Sequence, residues 1–184
     1  VATLIRFFKP YRVLSQFTDS QSRATLAEYI DVSGVHPAGR LDFDSEGLLL
    51  LTDDGALQAR ISHPKFKLEK TYLVQVEGSP DPSNLELLTR GVELRDGISR
   101  ALRATRIAPP PEVVPRDPPI PPRHRESSAW VEIVLNTGKN RQVRRMLAAV
   151  GHPVLRLIRT RIGPWRLTGL QPGQWIQESV HLPR

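Results

Sequence analysis

The chain has 184 residues, 39% of them hydrophobic and 24% charged. That is the balance of a globular domain with a real core, not of a disordered chain. There is no cysteine, which excludes disulfides, thiolate metal sites and cysteine nucleophiles. No apolar run approaches the roughly 20 residues that span a bilayer, and the opening VATLIRFFK is too short and mixed for a signal peptide. A cytoplasmic protein that does not enter membranes is expected. The formal charge is +7, and its distribution says more than its size. Between Glu132 and Glu178 there is no acid, yet the stretch holds eight lysines and arginines. A solvated surface normally mixes signs, so this segregation points to a polyanion such as RNA or DNA.

In chain order, Leu4–Phe8 and Val13–Phe17 read as short strands about a Lys9-Pro10 turn, and Ala24–Ile30 has helical spacing. Val35–Leu41 is expected to be extended, because Pro37 disfavours helix. Asp44-Ser45-Glu46-Gly47 is turn chemistry, and Leu48–Leu51 is a run short enough for a buried strand. A turn at Asp53-Asp54-Gly55 leads to a helix over Ala56–Ile61. Thr71–Val76 is rich in strand formers, and Pro80-Asp81-Pro82-Ser83 opens a helix carrying Leu85, Leu87 and Leu88. Eight prolines between Arg106 and Arg123 make a stiff loop, about 108–125, that excludes helix and central strand. Val131, Ile133 and Leu135 mark a strand with one core face. Val143, Met146, Leu147 and Val150 fall at helical spacing, with Gly151 as the stop. Strands and helices without βαβ repetition indicate an α+β fold.

Two segments are dense in chemistry. Gly39-Arg40-Leu41-Asp42-Phe43-Asp44-Ser45-Glu46-Gly47 places three carboxylates within five residues, beside an arginine. These can build a turn, or a carboxylate at a strand edge can act as nucleophile or base. Asp42 and Asp44 on one face would suit a two-carboxylate glycosidase. Gly138-Lys139-Asn140-Arg141-Gln142-Val143-Arg144-Arg145-Met146 sets a turn before a helix. Arg141 and Arg145 share a helical face there, and Arg144 lies beside the apolar stripe, where a buried guanidinium wants a carboxylate. The five histidines have no ligand spacing and a carboxylate-only magnesium site at Asp42, Asp44 and Glu46 would be unspecific, so no metal is expected; no phosphate loop or dinucleotide fingerprint is present.

These residues resemble the RNA pseudouridine synthases of the small-subunit-type (RsuA) family. Gly39-Arg40-Leu41-Asp42 with Asp44–Thr52 is similar to its signature, and Lys70-Thr71-Tyr72 to its second motif. Gly138–Met146 followed by Gly151–Arg156 is similar to its third, and Lys9-Pro10 near a first strand is also familiar. Leu4–Phe7, Leu14–Asp19 and the Pro115–Ile120 loop resemble a large-subunit branch of that family. Arg12 stands where relatives often have glycine or another small residue. The S4-like RNA-binding domain of many relatives is not visible.

The resemblance implies a single catalytic domain over 1–184 in two lobes, with a mixed, largely antiparallel sheet and a central cleft. It implies isomerisation of uridine to pseudouridine at one site of 23S ribosomal RNA, free or in an assembling large subunit, by a monomer without a cofactor. Asp42 would be the essential carboxylate, attacking C1′ or C6 or removing the C2′ proton. Arg144 would pair with it, Tyr72 would stack on the uracil, and Leu155 would pack on the other side. A phenol, with its ordinary pKa of about 10, would need activation to help remove the C5 proton. The target base must leave its stack. Arg40, Lys139, Asn140, Arg141, Gln142, Arg145, Arg156, Arg159 and Arg161 would hold the RNA around it, and Lys65, Lys67 and Lys70 would extend that track. A non-catalytic RNA-binding protein and the glycosidase are the competing readings.

Overall fold

The structure is a computed structural model and describes residues 1–182. In chain order its elements are β1 (Ala2–Lys9), β2 (His36–Ala38), β3 (Glu46–Thr52), α1 (Gly55–Ser62), β4 (Lys70–Glu77), α2 (Pro82–Arg90), β5 (Val92–Leu94), β6 (Gly97–Ser99), β7 (Arg103–Ile107), α3 (Pro122–Arg125), β8 (Ser128–Leu135), α4 (Gln142–Ala149), β9 (Val154–Ile162), β10 (Trp165–Arg166) and β11 (Trp175–Val180). Single 3-10 turns lie at Leu26–Glu28 and Pro64–Phe66. The chain divides into two compact units. One comprises 1–68 with 159–184, the other 69–158, and β9 runs from the second into the first.

In the first unit β1 lies between β11 and β3, antiparallel to both, and β2 pairs with β3. Every residue of β3 is buried, so a run of four leucines fits there without polar alternation. The pleat separates them. Leu48 and Leu50 join Leu57 and Ile61 of α1, while Leu49 and Leu51 join Ile5, Phe7, Leu26 and Leu41. Helix α1 begins where the Asp54 carboxylate accepts from Leu57 N at 2.8 Å.

In the second unit β8 lies between β4 and β7, again antiparallel. One core gathers Tyr72, Val74 and Val76 of β4, Val131, Ile133 and Leu135 of β8, Leu88 of α2, and Val143, Met146 and Leu147 of α4. Helix α2 starts with a capping box between Asp81 and Asn84, with Pro82 in its first turn.

Several expectations shift. Val13–Phe17 is irregular, not a strand, and Ala24–Ile30 keeps only one 3-10 turn. Strand β8 buries both faces, since Trp130 and Val134 are as buried as Ile133's side. Within the proline segment Pro122–Arg125 forms one helical turn, because proline fits the first helical position, where its missing N–H costs nothing. Strands β5, β6, β7, β9, β10 and β11 carried no expectation.

Candidate active site

Asp42 follows a backbone held on both sides. Ser15 Oγ donates to Leu41 O at 2.7 Å and accepts from Leu41 N at 3.0 Å. Arg12 N donates to Phe43 O at 2.9 Å, and Ser45 N donates to Asp42 O at 3.0 Å. Arg12 has φ 62°, in the left-handed region that glycine enters more cheaply, so its departure from the family's small residue falls on a strained turn. The half-buried Asp42 therefore projects from a fixed turn.

Beneath that turn lies a charge cluster that sequence reasoning missed. Lys9 is fully buried and donates to Pro10 O at 2.8 Å and Val13 O at 2.7 Å. Burial pushes its ammonium down to about 7. The nearby carboxylates of Glu46, Asp44 and Asp42 resist that fall, and the Arg159 guanidinium adds to it. One signal was available. Lys9 continues the alternation Ile5, Phe7, which faces the core, so its side chain had to enter apolar surroundings.

Arg159 is 6% exposed, and its Nε donates to Leu48 O at 2.9 Å. Arg40 is exposed, with Nη2 donating to Gln16 Oε1 at 3.2 Å. Arg161 is exposed and donates to Gly163 O. Arg159 therefore acts as a brace for the backbone entering β3, turned to protein and not to solvent.

In the second unit Tyr72 sits on β4 opposite Ile133 with 8% of its surface exposed. Five of the expected residues build one turn before α4. Buried Gln142 accepts through Oε1 from Thr137 Oγ1 at 2.9 Å and Lys139 N at 3.2 Å. Arg141 is exposed with φ 50°. Arg145 Nε donates to Asn140 O at 3.0 Å, and its two terminal nitrogens reach Asp96 at 2.7 and 3.2 Å. That fork lowers the Asp96 carboxyl below its ordinary range. Half-buried Arg144 follows in the first turns of α4. The carbonyl of Leu155 accepts from Arg116 Nη1 at 3.2 Å, and Arg156, 6% exposed, donates from Nη2 to Val114 O at 2.6 Å. So Arg156 ties the proline-rich loop to β9, and Gln142 closes a turn. The exposed cations of this unit's motif are Lys139 and Arg141.

The first unit thus offers a carboxylate on a rigid turn, with buried positive charge beside it. The second offers a mostly buried tyrosine, a half-buried arginine and an exposed basic turn. The first can do carboxylate chemistry, and the second can hold an anion.

Comparison with known proteins gives the family. The ribosomal large subunit pseudouridine synthase E of Xanthomonas campestris pv. campestris is 53% identical over 183 residues, which is 98% of each chain. The protein of that description from Vibrio vulnificus is 50% identical over 177 residues, 96% of this chain and 75% of its own. A crystal structure described as a pseudouridylate synthase superposes with TM-score 0.76 at 28% identity, covering 97% of this chain and 71% of that one. The family model described as RNA pseudouridylate synthase matches residues 3–149, most of the length. With its mostly antiparallel α+β fold, and with the motifs of both units in family order, the chain belongs to the RNA pseudouridine synthases and is an isomerase of that family.

Proposed function

We propose that this enzyme isomerises one uridine of large-subunit (23S) ribosomal RNA, as a cytoplasmic monomer, with Asp42 as the carboxylate on which turnover depends. The observation that carries the assignment is the placement of Asp42. It stands on a turn pinned at Leu41 and Phe43, within the field of a buried lysine. The relatives named for the large subunit support the choice of RNA.

The reaction breaks N1–C1′, turns the uracil, joins C5 to C1′ and releases the C5 proton while N1 gains one. Nothing is oxidised and no atom is lost, so no cofactor is needed for balance. Attack at C1′, attack at C6 and removal of the C2′ proton all require Asp42 to be ionised. A fixed turn keeps that carboxylate from reorganising as charge develops. Arg144 is proposed to stabilise it. Tyr72 and Leu155 are proposed to hold the two faces of the base, with Arg40, Lys139, Asn140, Arg141 and Arg161 holding the RNA around it. Asp44 is assigned to the turn. The glycosidase reading needs Asp44 as its second acid, and family membership counts against it, as it does against a protein that only binds.

The test is tritium release from 23S rRNA labelled at uracil C5. The wild type and Asp44→Asn should release tritium, and Asp42→Asn should bind RNA but release none. Turnover by Asp42→Asn, or loss with Asp44→Asn in a folded protein, overturns the assignment. A single species of monomer mass in sedimentation, retained with RNA bound, is the expected oligomeric result.

A further inference from the structure

The segment between α1 and β4 carries Lys65 and Lys67 of the expected RNA track, and its aromatic residue has no part in the roles above. Pro64–Phe66 makes a single 3-10 turn, and Lys67 leaves it at φ 47°. That reversal sends neighbouring side chains to different surroundings. Leu68 packs against the apolar cluster of α1 and β3, while Phe66 remains 42% exposed. Cations gather at the exposed ring. Lys65 Nζ lies 4.9 Å from its centroid, Arg60 Cζ lies 5.8 Å away, and the His63 ring meets it edge-on at 6.3 Å. From Gly55 to Leu68 there is no acidic residue, and Arg60, His63, Lys65 and Lys67 are all exposed.

A phenylalanine left half in water gains little from burial, so its place at the tip of a basic segment needs another account. The negative ring face attracts the ammonium and guanidinium, but both sit on long, rotatable stems. A nucleobase offers a wider face to the ring and brings phosphates for the cations it displaces. An aromatic surface set in unopposed positive charge is the pairing that holds single-stranded nucleic acid. An acidic peptide would use the cations and leave the ring idle.

We propose that Phe66 is a stacking platform for an unpaired base of the RNA, away from the reacting uridine, with Arg60, Lys65 and Lys67 on the flanking phosphates. The identity of that RNA rests on the function proposed above; the platform itself requires only single-stranded RNA.

The probe is a fluorescein-labelled 12-residue oligouridylate, titrated with full-length protein and read by anisotropy. Phe66→Ala and Phe66→Leu should each raise Kd at least about fivefold, the lower end of what one base–aromatic stack supplies. Phe66→Tyr should stay within about twofold of wild type, because it keeps the ring face. Ile176→Ala, which trims an apolar side chain of similar exposure on β11, should leave Kd unchanged. Lys65→Gln with Lys67→Gln should flatten the dependence of log Kd on log salt by about one to two. Thermal midpoints within about 2 °C of wild type show that the exposed substitutions leave the fold intact. The proposal is overturned if Phe66→Ala binds as wild type. It is equally overturned if Phe66→Leu restores binding, since that would make the site a greasy contact and not a stack. Oligouridylate binding that depends on Phe66, in a protein inactive on 23S rRNA, would retain the platform and reject the substrate assigned above.

Discussion

Replacing Gly47 by alanine should damage both stability and turnover, for reasons that can be weighed separately. Gly47, the second residue of β3, has φ 107°, and a Cβ built there lies 2.2 Å from Arg159 O and 2.7 Å from Arg159 N. Carbon and oxygen in ordinary contact stand about 1 Å further apart, and both obstructing atoms are backbone, so β9 must move. Overpacking of this kind costs ~1–3 kcal/mol, and the positive φ costs a similar ~1–3 kcal/mol in a residue with a Cβ. The lower conformational entropy of the unfolded alanine chain offsets ~0.4–1 kcal/mol of that loss. A net loss of about 1–5 kcal/mol remains, or a midpoint about 2–20 °C lower for a chain of this length. Displacing Arg159 also loosens its bond to Leu48 O, just beyond the turn that carries Asp42, so tritium release should fall more than about tenfold at temperatures where the variant is folded. Gly34→Ala supplies the comparison. Its φ is 79° with nothing within 4 Å of the added carbon, so it bears conformational strain alone, about 1–2 kcal/mol. Thermal melts of the two variants decide the matter. If Gly47→Ala melts within about 2 °C of Gly34→Ala and turns over normally, the close approach of β3 and β9 is not what this argument takes it to be.

Lys9 should leave a signature in the pH dependence of stability. Its folded pKa of about 7 lies below its ordinary 10.5, so between those values the unfolded chain binds the extra proton and stability climbs as pH rises. Over that whole window the gain is about 5 kcal/mol. Lys9→Met should remove it, so the melting temperature of wild type should rise relative to that of the variant from pH 7 to pH 9.5; a difference that does not move with pH contradicts the burial of the Lys9 ammonium. Asp96→Asn should release Arg145 from its carboxylate fork and steepen the salt dependence of RNA binding by up to about one counterion, and an unchanged slope would show that Arg145 never reaches the RNA. Asp81→Ala removes the carboxylate that accepts from Asn84 N in the capping box on α2 and should lower the midpoint by about 2–4 °C in a differential scan, with activity retained at 25 °C.

The motifs were legible because they are local. Leu48–Leu51 announced a strand buried on both faces, and Asp54 and Asp81 marked the starts of α1 and α2, since each signal is complete within a few residues. Strands β9 and β11 were not legible. Their partners are far away in the chain, and Trp175–Val180 is too exposed to show alternation. The basic stretch after Glu132 illustrates the other limit. Composition counts charges but does not say where a long stem points. Arg156 and Arg159 were grouped with Lys139 and Arg141, yet their guanidiniums end on Val114 O and Leu48 O. The converse held for Lys9, whose charge alone suggested surface while its place in the β1 alternation pointed inward.

The pairing of Ala2 with Val180 through Phe7 with Trp175 bears on how the polypeptide is made. Residues 69–158 are contiguous, so the second unit is complete in sequence before synthesis ends. The first unit is not. Strand β1 is made long before its partner β11, leaving one edge of an apolar ribbon uncovered while residues 10–174 are synthesised. Such an edge invites pairing with other chains, and early termination before Trp175 should yield aggregating product. The same arrangement places Ala2 opposite Val180, so a short linker between β11 and β1, with the chain opened at an exposed turn in the second unit, would let the two strands be synthesised one after the other.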